Sequence, residues 1–166
     1  RKALAVFLLC LFLFALAPKR GLAAEPQVQA GAALLMDGKS GMVLWEKNGY
    51  IPLPPASTLK ILTAITALDM ASPSDIFAVS ANAAAVGESS VYIQAGEEWR
   101  FEDLLNGALI QSGNDAACAI AENIGGTEAC FTALMRLKAA SLGAFSGYFT
   151  NSNGLPSEEQ NVSAYD

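Results

Sequence analysis

The sequence predicts a mixed α/β chain, and three observations point there. A glycine-rich turn sits between two short apolar stretches near residue 40. A proline-rich passage at residues 52–55 leads into an apolar helix. Three further helical patterns follow between residues 101 and 140.

Before any of these comes a leader. Arg1-Lys2 precedes an unbroken apolar run from Ala3 to Ala17, and Gly21-Leu22-Ala23-Ala24 supplies small residues. A basic start, a short hydrophobic stretch and small residues before a cut make a secretory signal peptide. The run is shorter than the roughly 20 apolar residues that cross a bilayer. Residues 1–24 are therefore expected to be a signal peptide cleaved after Ala24. Residues 25–166 are left as the folded part.

The first strands of that part are Ala33-Leu34-Leu35-Met36 and Met42-Val43-Leu44-Trp45, flanking Asp37-Gly38-Lys39-Ser40-Gly41 as a hairpin turn. Pro52, Pro54 and Pro55 hold the chain extended and deliver it to a helix starting near Ala56 or Ser57. From Thr58 to Met70 the pattern is apolar almost all round, which predicts a helix buried in the middle of a domain. Ser72-Pro73 ends it, and a strand-rich stretch is expected from about Ile76 to Ile93. Phe101, Leu104, Leu105, Ala108 and Leu109 then mark a helix through Gln111. Ser112-Gly113 interrupts, a second helix runs from Asn114 to Ile124, and Gly125-Gly126 stops it. Thr127 reads as the cap of a third helix through Ala140, with residues 143–157 as loop. Ser163-Ala164-Tyr165-Asp166 resembles the opening of one more helix, so the chain is expected to be truncated.

Composition narrows the chemistry. At 52% hydrophobic and 16% charged, the 166-residue chain can bury one core. Four of its ten basic residues lie in the leader and all sixteen acidic residues after it, leaving six against sixteen, a net charge of −10. Such a surface disfavours nucleic acid and anionic membranes. The chain has no histidine, which removes Ser-His-Asp and Cys-His catalysis and histidine-ligated zinc together. Cys10 lies in the leader. Cys118 and Cys130 have no CxxC spacing and read as two small buried thiols, with pairing in an oxidising compartment as the alternative.

With histidine absent, lysine is the leading base for a serine nucleophile. Ser57 and Lys60 stand three apart at a helix head, on one face. Neighbouring Ile61, Leu62, Ala64 and Ile65 would desolvate the ammonium, and the helix N-terminus opposes its charge. The same N-terminus favours an oxyanion, with the Ser57 N–H as one donor. The bare tetrapeptide equally describes a capping serine with a snorkelling lysine. Gln111-Ser112-Gly113-Asn114-Asp115 adds a polar tip between two helices. There Ser112 could relay a proton and Asn114 could bind a substrate amide; a plain helix–helix turn capped by Asn114 is the alternative.

In combination these segments resemble the low-molecular-mass penicillin-binding proteins of the serine D-alanyl-D-alanine carboxypeptidase family. The likeness runs through Val43-Leu44-Trp45-Glu46-Lys47-Asn48, Pro54-Pro55-Ala56-Ser57-Thr58-Leu59-Lys60, Ala95-Gly96-Glu97, Glu102-Asp103-Leu104-Leu105 into Gln111 through Ala117, and Phe149 through Pro156. The resemblance implies a β-lactamase/transpeptidase-like α/β fold, an antiparallel sheet plus a helical region with the active site between them. It implies removal of the terminal D-alanine from peptidoglycan stem peptides through an acyl-enzyme on Ser57. Lys60 would be general base, Ser112 proton relay and Asn114 a substrate-amide ligand. β-Lactams would be inhibitors, no metal or cofactor is implied, and a membrane-associating C-terminal segment is common in the family.

Two departures stand out. The family's later K-T-G or K-S-G strand has no counterpart except Lys39-Ser40-Gly41, which reads as turn composition. The true triad is expected beyond Asp166, leaving this N-terminal part inactive or nearly so on its own. Ser152-Asn153 stands where the family often carries Pro-His, with an effect expected to stay within the loop. A serine β-lactamase would need a water-holding glutamate; no convincing counterpart is present, although Glu158 and Glu159 lie in the region after the Ser112-Gly113-Asn114 motif. A non-catalytic wall-binding remnant is the reading of another class.

Overall fold

A computed structural model describes residues 24–166. The expected signal peptide, residues 1–24, lies outside the described residues apart from Ala24. Strands β1 (Ala33–Met36) and β2 (Val43–Lys47) pair antiparallel around the predicted turn, with an irregularity between Leu35 and Met36. The turn is closed by one carboxylate: Asp37 Oδ1 accepts from the Lys39 N–H (3.2 Å) and from the Ser40 N–H and Oγ (both 2.7 Å). An aspartate opening a turn commonly bonds its own backbone this way. Lys39-Ser40-Gly41 is thus turn chemistry, as expected.

A 3₁₀ turn at Ala56–Thr58 runs straight into helix α1 (Leu59–Leu68). Its buried face carries Leu59, Lys60, Thr63, Ala64, Thr66 and Ala67, whereas Ile61 (61% exposed), Leu68 and Met70 face outward. The expectation of burial all round was therefore wrong, and the buried face is the more polar one.

The predicted strand-rich stretch at 76–93 is also corrected. Only β3 (Ile76–Ala78) is strand, and it pairs antiparallel with β4 (Glu98–Arg100). Between them Ser80 caps a one-turn helix, α2 (Ala81–Ala84), by accepting from the Ala83 N–H at 2.9 Å. Glu88 and Tyr92 then adopt positive φ, which a strand does not hold.

Helices α3 (Phe101–Ile110), α4 (Asn114–Gly125) and α5 (Glu128–Ser141) match the predicted spans to within a residue. Thr127 caps α5 as read, its Oγ1 accepting from the Cys130 N–H at 3.2 Å. Helix α4 is the centre of the fold, with every residue from Asn114 to Ala121 buried. Its run of alanines lets α3, α5 and α1 approach closely around it, and Phe101, Leu104, Phe131 and Met135 complete the core. Fully burying each such large side chain contributes roughly 1.5–3 kcal/mol.

Cys118 is a buried thiol, but Cys130 lies exposed on α5, and both are free. Ser163–Asp166 is not a helix, although the Asp166 N–H does donate to Ser163 Oγ at 3.1 Å, a bond of capping type. Among the described residues no helix is long and apolar enough to cross a membrane.

Candidate active site

Pro54, Pro55 and the 3₁₀ turn bring Ser57 to the protein surface at the head of α1. One turn on, Lys60 points inward and is only 2% exposed. The linker between α3 and α4 turns back at Ser112, whose φ of 58° aims it at the same point. Asn114 opens α4 directly behind it. Elements distant in sequence thus converge on a single amine.

The geometry is compact. Lys60 Nζ lies 3.1 Å from Ser57 Oγ and 3.3 Å from Ser112 Oγ, and the two hydroxyls are 2.9 Å apart. Nζ also donates to Asn114 Oδ1 at 2.8 Å and to the Asn153 carbonyl at 2.7 Å. Asn114 is oriented by its own amide, which donates to the Gly87 carbonyl at 3.0 Å. All four residues singled out from the sequence (Ser57, Lys60, Ser112 and Asn114) are therefore brought together.

Burial disfavours the ammonium and lowers the Lys60 pKa from 10.5, while the Glu88 carboxylate pulls the other way. A neutral amine has two N–H bonds and one lone pair. The Asn114 and Asn153 oxygens can only accept, so they take both N–H bonds. The lone pair is then left facing the hydroxyls of Ser57 and Ser112. That arrangement can withdraw a proton from a serine.

Four supports were not read from the sequence. The loop at 149–156 supplies the Asn153 carbonyl, so its backbone reaches the centre of the site. Its neighbour Gly154, at φ +87°, packs so tightly that a Cβ there would lie 2.0 Å from the Ala56 carbonyl oxygen. Asp115, fully buried, accepts from Ser90 Oγ (2.5 Å) and from the N–H groups of Ala116, Val91 and Ile93. It pins the loop that carries Gly87 and Glu88 against α4. Thr63 extends the Ser57 and Lys60 spacing by another three residues, and that periodic polar face inside an apolar helix was the available signal.

Beside Ser57 opens a cleft of about 700 Å³, lined by Pro54, Glu88, Asn114, Gly154 and Glu158 among others. Lys39, Ser40 and Gly41 do not line it, and neither does Glu159.

A family model described as D-alanyl-D-alanine carboxypeptidase matches residues 19–166. The chain belongs to this family. D-alanyl-D-alanine carboxypeptidase DacF of Bacillus subtilis is 38% identical over 143 residues, covering 83% of this chain and 37% of that protein. The crystal structure of D-alanyl-D-alanine carboxypeptidase DacD from Francisella tularensis superposes with a TM-score of 0.80 at 35% identity, over 90% of this chain and 39% of that one. Penicillin binding protein 5 from Haemophilus influenzae gives a TM-score of 0.80 at 27% identity, over 86% and 44%. The chain thus spans about two fifths of the length of these proteins, and its fold is the β-lactamase-like fold of the penicillin-binding proteins.

Proposed function

We propose that this chain carries the nucleophile-bearing part of a serine D-alanyl-D-alanine carboxypeptidase acting on peptidoglycan stem peptides. The observation that carries the proposal is the buried Lys60 amine, held by two acceptors and facing Ser57 and Ser112. Lys60 Nζ takes the Ser57 hydroxyl proton as Oγ attacks the carbonyl of the penultimate D-alanine. The Ser57 N–H stabilises the oxyanion, and one such donor contributes about 100- to 1000-fold in rate. The proton passes through Ser112 Oγ to the leaving nitrogen, the C–N bond breaks and D-alanine departs. Water then hydrolyses the ester with Lys60 again as base. Asn114, whose amide gives one N–H to Gly87, offers the other to the substrate. A β-lactam has the same amide within its ring, so its opening leaves Ser57 esterified.

One wall of the cleft, which the family resemblance assigns to a K-T-G strand, is not supplied by the described residues. Residues 25–166 alone are therefore expected to react slowly, and the complete gene product efficiently. We further propose that residues 1–24 direct export to the periplasm or the outer face of the cytoplasmic membrane; an exported protein beginning at Glu25 is the expected product on N-terminal sequencing. The function is tested by incubating the complete gene product with a peptide ending in D-Ala-D-Ala and measuring free D-alanine. Release should be abolished by Ser57→Ala, and undiminished release in that variant would contradict the assignment.

A further inference from the structure

A polar network behind Lys60 takes no part in those steps. Glu128, the first residue of α5, spends its Oε1 on one residue, accepting from the Ser152 N–H at 2.9 Å and from Ser152 Oγ at 2.6 Å. It is not needed as a cap, since Thr127 fills that role, and neither ion pair among the described residues includes it. Ser152 is completely buried, and its carbonyl accepts from Thr63 Oγ1 at 2.6 Å. The next carbonyl, that of Asn153, accepts from Lys60 at 2.7 Å. Two consecutive loop carbonyls thus dock on two residues of α1 one turn apart, and Glu128 anchors the same loop from α5. A proline at 152 would bring neither of the two donors that Glu128 holds.

We infer that Glu128 is a positioning residue for the acylation step, acting through Ser152 to fix the Asn153 carbonyl on Lys60. This rests on Lys60 being the base, as proposed above. With the carbonyl in place, both N–H bonds of the neutral amine are occupied and its lone pair has one direction left, towards the serines. Once the carbonyl drifts, Nζ is free to donate to Ser57 Oγ instead of accepting from it. Glu128, Ser152 and Thr63 do not themselves line the substrate cleft; only Asn153 and the loop after it do.

The test uses the complete gene product and a fluorescent penicillin, with acylation followed over a range of concentrations. Limiting rate and half-saturating concentration are then read separately. Glu128→Ala should lower the limiting rate roughly 10- to 100-fold, the effect of a misplacement near 1 Å, with half-saturation altered by a smaller factor. Glu128→Gln keeps an Oε1 acceptor for both Ser152 donors and should restore the rate. Ser152→Ala keeps the N–H bond, should fall between the two, and serves if thermal melting shows Glu128→Ala unfolded. A wild-type rate in the alanine variants would overturn the inference. So would a glutamine variant as slow as alanine, or a change in half-saturation alone. Failure of the wild-type protein to acylate at Ser57 would instead bring down the nucleophile and base assignment beneath it.

Discussion

Replacing Gly154 with alanine puts a methyl group where the nucleophile's own backbone lies. The added Cβ would stand 2.0 Å from the Ala56 oxygen, 2.5 Å from its carbonyl carbon and 3.0 Å from the Ser57 nitrogen. Ordinary contact begins at 3.4 Å, so one of the two segments must retreat by about 1.4 Å. Backbone atoms cannot rotate aside as a side-chain end can, and the carbonyl concerned immediately precedes Ser57. Gly154 also sits at φ +87°, where alanine costs about 1–2 kcal/mol. The lost freedom of the unfolded chain offsets roughly 0.4–1 kcal/mol of that. A shift of this size at the attacking atom should slow acylation about 100-fold. The control is Gly143→Ala, at φ +88° with nothing within 4 Å of the new Cβ. It carries the same backbone strain without the clash, so it should lower the thermal midpoint and leave acylation alone. Fluorescent-penicillin labelling and thermal unfolding of both variants decide the matter. A Gly154→Ala protein that acylates at the wild-type rate would refute the close-packing argument.

Acylation should rise with pH along a limb whose midpoint lies below 10.5, because burial lowers the Lys60 pKa. Glu88→Gln should move that midpoint lower still, since the carboxylate favours the ammonium; pH–rate profiles of both proteins check this. Burial opposes the charge of Asp115, but the bonds from Ser90, Val91, Ala116 and Ile93 outweigh it and hold its pKa below 3.8. A depressed carboxyl stabilises the fold above the unfolded value and loses that contribution as pH falls through the folded one. Asp115→Asn should therefore cost about 2–3 kcal/mol at neutral pH and flatten the acid limb below 3.8, as urea unfolding across pH would record. Of the two cysteines in residues 25–166, a thiol reagent should modify exposed Cys130 in the native protein, as peptide mapping would show. Cys118, pushed up to about 12 chiefly by burial, should react only after unfolding.

The elements with local punctuation were legible in the sequence. Thr127, Gly125-Gly126 and Ser112-Gly113 bound the helices through capping and turn chemistry, which needs no tertiary context. Beyond the strand at Ile76–Ala78 the stretch to residue 93 was not legible, and at its end the conformation is set from outside: the Asp115 carboxylate takes the N–H groups of Val91 and Ile93 that a strand would give to a neighbour. The outward face of α1 was misjudged because Ile61 and Leu68 are apolar yet exposed, while Lys60 and Thr63 find partners inside. Ser57, Lys60, Ser112 and Asn114 were readable as side chains with chemistry. The Asn153 carbonyl was not, since every residue has a carbonyl and only the fold says which one meets a lysine.

The central claim is that Ser57 is a nucleophile made reactive by Lys60. Its most direct test is to incubate the complete gene product with penicillin, digest it, and locate the adduct by mass spectrometry. The expected result is one acyl group on Ser57, absent in Ser57→Ala and formed far more slowly in Lys60→Met. An adduct at another residue, or equal labelling in the Lys60→Met protein, would contradict the account.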